Sequence, residues 1–173
     1  MFLGVDKLRK LVREKKLVDG LGDRELKNPE GCGFDLRLGK VWKIKGEGFL
    51  GIEDRKTCET KLVKKKTLLL KPGDFYLVTT IEKVNVPKNL VGLLKPRSTL
   101  QRMGLILRTT QIAPGYSGEL TFALHNAGPC KVKIEIGARI VHVMFAQILG
   151  KTKMYRGQWQ GGRVTTKKRE RQI

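Results

Sequence analysis

Seven short apolar runs limit what this chain can fold into. They read FDLRLGKVWKI, KTLLLKPG, FYLVTTI, LVGLLKP, GELTFALHN, CKVKIEIG and ARIVHVMFAQI, lie about a dozen residues apart and are punctuated by Gly and Pro. Runs of this kind read as strands. Between them no segment carries a helical pattern long enough for the crossover that a parallel sheet requires. The pattern therefore predicts a mainly β fold, an antiparallel sandwich or barrel rather than a Rossmann-type sheet. One helix precedes the strands: over residues 5–18, Leu8, Leu11, Val12 and Leu17 fall at roughly helical spacing among Lys, Arg and Glu, and Gly20 and Gly22 end the element. The strand pattern stops near Gly150. We expect one domain over residues 1–150 and a basic tail over 151–173, where eight Lys and Arg face Glu170 alone.

Composition narrows the class of molecule. A chain of 173 residues with 40% hydrophobic content buries roughly two thirds of its unfolded surface, so neither disulfides nor a structural metal are needed to hold it together. Cys32, Cys58 and Cys130 are odd in number and form no C-x-x-C pair, which argues against a disulfide framework and a Zn site and for reduced, structural thiols. No apolar run approaches the ~20 residues that span a bilayer, and the N-terminus lacks a signal-peptide core, so no membrane association and a cytoplasmic location are expected. The 36 Lys and Arg against 16 Asp and Glu give a net charge of +20, which attracts polyanions without choosing among them. Aromatics make up 6%, with no aromatic-studded groove or RNA-recognition signature, so nucleic acid is not the expected partner.

Two stretches could carry chemistry. In PRSTLQRMGL, Arg97 and Arg102 bracket Ser98 and Thr99. Guanidinium forks, hydroxyls and the free N–H groups of a turn suit phosphate oxygens; the alternative is a surface turn whose hydroxyls bond nearby backbone. Residues 112–121, IAPGYSGELT, read as a tight turn feeding a hairpin strand.

Together these stretches resemble the dUTPase and dCTP deaminase superfamily of nucleotide enzymes. GFDLRLG, with Asp35, looks like the family's first motif, and residues 71–105 look like the stretch entering its phosphate-binding second motif. IAPGYSGELTFALHN is similar to the nucleoside-binding third motif, and GARIVHVMFAQI to the fourth. The opening helix with KKLVDGL and the ending YRGQWQGGR look more like the deaminase-type branch and its archaeal dUTPase relatives. The resemblance implies a β-clip, or distorted jelly roll, assembling as a homotrimer (the choice between trimer and hexamer stays open), with active sites shared between neighbouring subunits and Mg²⁺ bound through the triphosphate of dUTP or dCTP. It implies phosphate binding by Arg97, Ser98, Thr99 and Arg102. Ile112, Tyr116 and Thr121 would hold the nucleoside, and Tyr155, Gln158 and Gln160 would belong to a tail that closes over it. Where deaminase relatives carry a basic residue in that tail, this chain has Gln158.

The sequence departs from its family at the catalytic positions. The third motif of a dUTPase reads Ile-Asp where this chain has Ile112-Ala113, and the Glu that activates water in a deaminase corresponds to Ala123. A methyl group neither accepts a proton nor orients water, so the usual base is missing for both reactions. Glu119 shares a strand face with position 123 but lies about 13 Å away at ~3.3 Å per residue. Asp35 is the second substitute, with a structural salt bridge to Arg37 or Arg102 as its alternative role. His125 and His142 sit in apolar strands and read as core or interface histidines. An engineered Asp→Ala change, a natural subgroup with another base, and a relative without catalysis all fit Ala113. The leading expectation is dUTP hydrolysis to dUMP and pyrophosphate, with Arg97 and Arg102 stabilising phosphate charge and Ser98 positioning the bridging oxygens. The alternatives are dCTP deamination and nucleotide binding without turnover.

Overall fold

A computed structural model of the protein describes residues 1–172. In chain order the elements are α1 (Val5–Lys15), β1 (Val18–Asp19), α2 (Asp23–Lys27), β2 (Gly33–Lys45), β3 (Phe49–Leu50), β4 (Asp54–Lys56), β5 (Glu59–Leu62), β6 (Thr67–Leu70), β7 (Phe75–Asn85), β8 (Leu90–Pro96), α3 (Ser98–Arg102), β9 (Leu105–Arg108), β10 (Ser117–Asn126), β11 (Val132–Glu135), β12 (Arg139–Gln147), a 3₁₀ turn at Gln160–Gly162 and β13 (Glu170–Arg171).

The main sheet runs β8-β12-β2-β7-β10-β9, with β1 on β7 and β5 on β2. Its strand pairs are antiparallel, as the short connections demand. Beyond β9, Ile112 exchanges backbone hydrogen bonds with Gly92 of β8 at 2.8 and 3.0 Å, so the last strand's continuation meets the first strand and the sheet is nearly closed. Closure removes the exposed edges along which chains aggregate. Period-two alternation in β10 buries Leu120, Phe122 and Leu124. These pack with Phe34, Leu36, Val78, Val143 and Phe145 in one core. Among the described residues no helix is long and apolar enough to cross a membrane.

The opening helix stops earlier than its apolar spacing predicts. Lys16 adopts a left-handed conformation (φ 50°), its N–H bonding Val12 O while Leu17 N–H bonds Leu11 O. This closure reverses the chain four residues before Gly20. Leu17 and Val18 then become buried, and Val18 pairs with Val84. The basic tail is not a loose end. As far as Gln172, it crosses back over the start of β10 and ends as β13 on β4, with Glu170 opposite Arg55; Ile173 lies outside the described residues. We call this segment the strap.

Candidate active site

The turn before β10 builds one wall of a cavity of about 540 Å³. Tyr116 N–H bonds Ala113 O at 3.1 Å, and Gly115, at φ 82°, supplies the turn's left-handed residue. Ile112, Ala113, Tyr116 and Thr121 line the cavity, and Tyr155 and Trp159 of the strap cover it. The Thr121 hydroxyl is buried and has no partner among the described residues. Tyr116 donates its hydroxyl to Glu119 O at 2.6 Å and meets Tyr155 edge-on at 5.4 Å. Burial, reinforced by Tyr155, pushes the Tyr116 phenol up to about 12, so it stays a neutral donor at physiological pH.

The strap is fastened by backbone and amide contacts. Tyr155 N–H bonds Pro114 O at 2.6 Å; Gln160 accepts from Ser117 N–H at 3.3 Å and donates to Gly115 O at 3.1 Å. Gln158 faces elsewhere, accepting from the Arg55 guanidinium and donating to Arg171 O at 3.0 Å. Trp159 stacks beneath Arg55, whose guanidinium lies 4.5 Å from the ring centroid, and Arg163 approaches the same ring at 5.7 Å.

The phosphate-type stretch lies apart from this cavity, and none of Arg97, Ser98, Thr99 and Arg102 lines it. Ser98 and Thr99 are exposed on the single turn of α3 and their hydroxyls make no hydrogen bond among the described residues, contrary to the surface-turn alternative. Arg102 is exposed and reaches only Ser98 O, at 3.3 Å. Arg97 turns inward and pairs with Asp35.

Asp35 is 4% exposed and sits where the register of β8, β12 and β2 gathers charge. His142 faces it across the β2–β12 pair, its Nδ1 2.9 Å from Asp35 Oδ1; Arg139 donates to Oδ2 at 3.0 Å, and Arg24 lies 3.8 Å away. Asp35 N–H donates to the buried carboxylate of Glu25 at 3.0 Å. Burial lowers the affinity of His142 for its proton, with Arg97 adding and Glu25 opposing; a neutral ring protonated at Nδ1 donates to Asp35. Burial, then Arg139 and Arg24, also lower the Arg97 pKa.

The partners expected for Asp35 need correction, while its structural salt bridge stands. Asp35 does not pair with Arg37 or Arg102: Arg37 is taken by the fully buried Glu82, at 2.6 Å from its side chain and 2.8 Å from its N–H. His142, read from sequence as a core or interface histidine, is half-buried with its Nδ1 against Asp35. His125 stays half-buried, 6.3 Å from Phe75. Sequence reasoning also missed Glu25, Arg24, Arg139 and Trp159. Glu25 sits in DRELK and reads as surface; Trp159, one of two tryptophans, was the more findable signal.

The cavity lining carries no carboxylate: Ala113 is there, Ala123 is not, and Glu119 is held by Lys40 Nζ, 3.1 Å from each oxygen.

A nearly closed antiparallel sheet, a third-motif turn walling a cavity and a folded-back tail define a protein of the dUTPase and dCTP deaminase class. Residues 2–148 match the model of the dCTP deaminase-like family, and the chain belongs to that family. It is 33% identical to a dCTP deaminase of Pyrobaculum islandicum over 96% of this chain and 95% of that one. It is 29% identical to a dCTP deaminase of Pyrococcus furiosus over 92% and 95%. Its fold matches the crystal structure of the 2'-deoxycytidine 5'-triphosphate deaminase from Agrobacterium tumefaciens with a TM-score of 0.66 at 17% identity, over 83% of this chain. The match spans about half, 48%, of that longer protein.

Proposed function

We propose that this chain is a deaminase-type nucleotide protein that binds dCTP in the 540 Å³ cavity, with turnover limited by the absence of a carboxylate. The observation that carries the reading is the cavity itself, which keeps the turn, the Thr121 hydroxyl and the strap while its lining holds Ala113 and no carboxylate. Full-length relatives named dCTP deaminase favour dCTP over the dUTP that the sequence suggested as substrate. The free hydroxyls of Ser98 and Thr99, with Arg102, suit the triphosphate. Because they lie away from the cavity, a complete site takes them from a neighbouring subunit of a homotrimer. Among the described residues no group of three or more His, Cys, Asp and Glu is arranged to hold a metal. Mg²⁺, which the family resemblance implies, would ride on the triphosphate and neutralise its charge.

Hydrolytic deamination needs a base to take a proton from the water attacking the amino-bearing ring carbon, a contribution of roughly 10²–10⁴-fold. Binding without turnover is a second reading, favoured by the missing carboxylate. Both are tested by separating products after incubation with Mg²⁺ and dCTP, dUTP or UTP, for the unaltered chain and Ala123→Glu. We expect dCTP to protect against heat and Ala123→Glu to raise uracil-product formation from dCTP by at least ~100-fold. No gain in a folded, dCTP-binding variant would leave binding without turnover as the reading, and dUMP from dUTP alone would return the assignment to dUTP hydrolysis.

A further inference from the structure

A second cavity, of about 610 Å³, lies under the far half of the strap, walled by β2, β5, β7, β10 and residues 162–170. Its size falls in the range of small-molecule sites. Trp42 lines it, and the indole N–H of Trp42 is buried without an acceptor among the described residues. A buried donor left unpaired is costly unless a ligand or water supplies the acceptor. Four cationic side chains line the same space: Lys40, Arg163, Lys167 and Lys168. Its two carboxylates are already committed, Glu119 to Lys40 and Glu170 to Arg163 at 2.6 Å and Arg55 at 3.4 Å. Lys167 and Lys168 make no ion pair among the described residues.

An orphaned donor in the same cavity as two unpaired ammonium groups calls for a ligand with an uncharged acceptor and an anionic group. We propose that this cavity binds a small phosphorylated compound, its phosphate on Lys167 and Lys168 and its acceptor on the Trp42 N–H. Arg163 and Val164 line both cavities, so a ligand here pins the strap from below and tightens dCTP above it; this last step rests on the proposed nucleotide role of the first cavity. Coupling of this kind is reciprocal.

The test titrates the full chain carrying Trp159→Phe, which leaves Trp42 as the only tryptophan, with inorganic pyrophosphate and, separately, with AMP, a purine nucleotide. We expect one ligand per chain, a change in Trp42 emission, and at least a ~10-fold loss of affinity when Lys167 and Lys168 both become Glu, because charge-assisted contacts turn repulsive. Tighter binding of AMP identifies a nucleoside phosphate; equal binding of pyrophosphate identifies the phosphate group alone. Calorimetry on the unaltered chain repeats the measurement with both tryptophans in place. No emission change with either probe, affinity unmoved by the Lys→Glu pair, or displacement of the probe by dCTP would each overturn the proposal. Failure of dCTP itself to bind leaves these readouts intact and counts against the nucleotide reading alone.

Discussion

Gly118 is the point at which the strap and β10 touch backbone to backbone, and Gly118→Ala is the sharpest test of whether that contact holds the strap down. A Cβ built there would lie 2.5 Å from Gly162 N, 2.6 Å from Gly161 C and 2.8 Å from Gly161 Cα. None of these is the movable end of a side chain, so the strap must retreat. The Gln160 contacts to Ser117 N–H and Gly115 O go with it. At about 1 kcal/mol net for each hydrogen bond, the loss is about 2 kcal/mol, or roughly a 30-fold increase in the open population at 1.4 kcal/mol per decade. Gly118 also sits at φ 144°, and an alanine held in so sparsely populated a region costs the whole fold about 1–3 kcal/mol more.

Limited trypsin digestion reads the open population directly when opening and closing are fast relative to cleavage. The strap offers Lys151, Lys153, Arg156 and Arg163 as sites. Cleavage there should rise about 30-fold in Gly118→Ala, while the strands of the main sheet stay protected. Gln160→Ala removes the same two hydrogen bonds without straining β10 and should approach the same acceleration. If both variants are folded and are cut at the unaltered rate, the strap is held by contacts other than these.

Three further outcomes follow from the core and the charged cluster. Asp35→Ala leaves Arg97, Arg139 and the His142 N–H without their shared acceptor and should cost about 3–5 kcal/mol in denaturant unfolding; a fold of unchanged stability with abolished nucleotide turnover would instead make Asp35 a catalytic group. Leu124→Ala, at a fully buried position, should cost about 2–5 kcal/mol, seen as a fall in Tm of several degrees; a fall under one degree would mean that the site collapses around the smaller side chain. His142 holds its proton less tightly folded than at its ordinary value of 6.5, so the unfolded chain binds more protons as pH falls. Its contribution to stability is complete above pH 6.5 and is lost on acidification, and His142→Gln should flatten the slope of unfolding free energy just below pH 6.5; an unchanged slope would place the titration elsewhere.

Most of the sheet was legible because its strands announce themselves locally. LVGLLKP coincides with β8, and alternation along GELTFALHN follows the buried face of β10. LILR was missed because no Gly or Pro separates it from the RTTQ that follows. The β3-β4-β13 sheet was missed for another reason: its strands are two or three residues long, too short to show a period, and Asp54 meets Arg171 only after the whole chain has folded. The residues expected to hold a nucleoside were legible as one segment, and Ile112, Tyr116 and Thr121 do share a cavity. The Asp35 cluster was not, because its members come from α2, β2, the end of β8 and β12. Composition marked the strap as basic, yet part of what docks it is backbone meeting backbone at Gly118, Gly161 and Gly162, which charge counting does not detect.

The two carboxylates that might replace the missing base are both engaged. Each oxygen of Asp35 already accepts from a neighbour, Oδ1 from His142 and Oδ2 from Arg97 and Arg139. A lone pair directed at a guanidinium is not directed at water, and the pairing fixes Arg97 at the foot of α3, beside the free hydroxyls. A guanidinium has five N–H donors in a fixed fork. Arg97 can therefore keep Asp35 on one edge and turn the other toward phosphate, whereas Arg102 is unencumbered. Glu119 is likewise held by Lys40 through both oxygens and points into the neighbouring cavity. The groups expected to meet phosphate, guanidiniums and hydroxyls, are all present, whereas the two positions expected to carry the base are Ala113 and Ala123. Restoring Ala123→Glu alone should consequently raise turnover of dCTP while leaving its affinity near that of the unaltered chain.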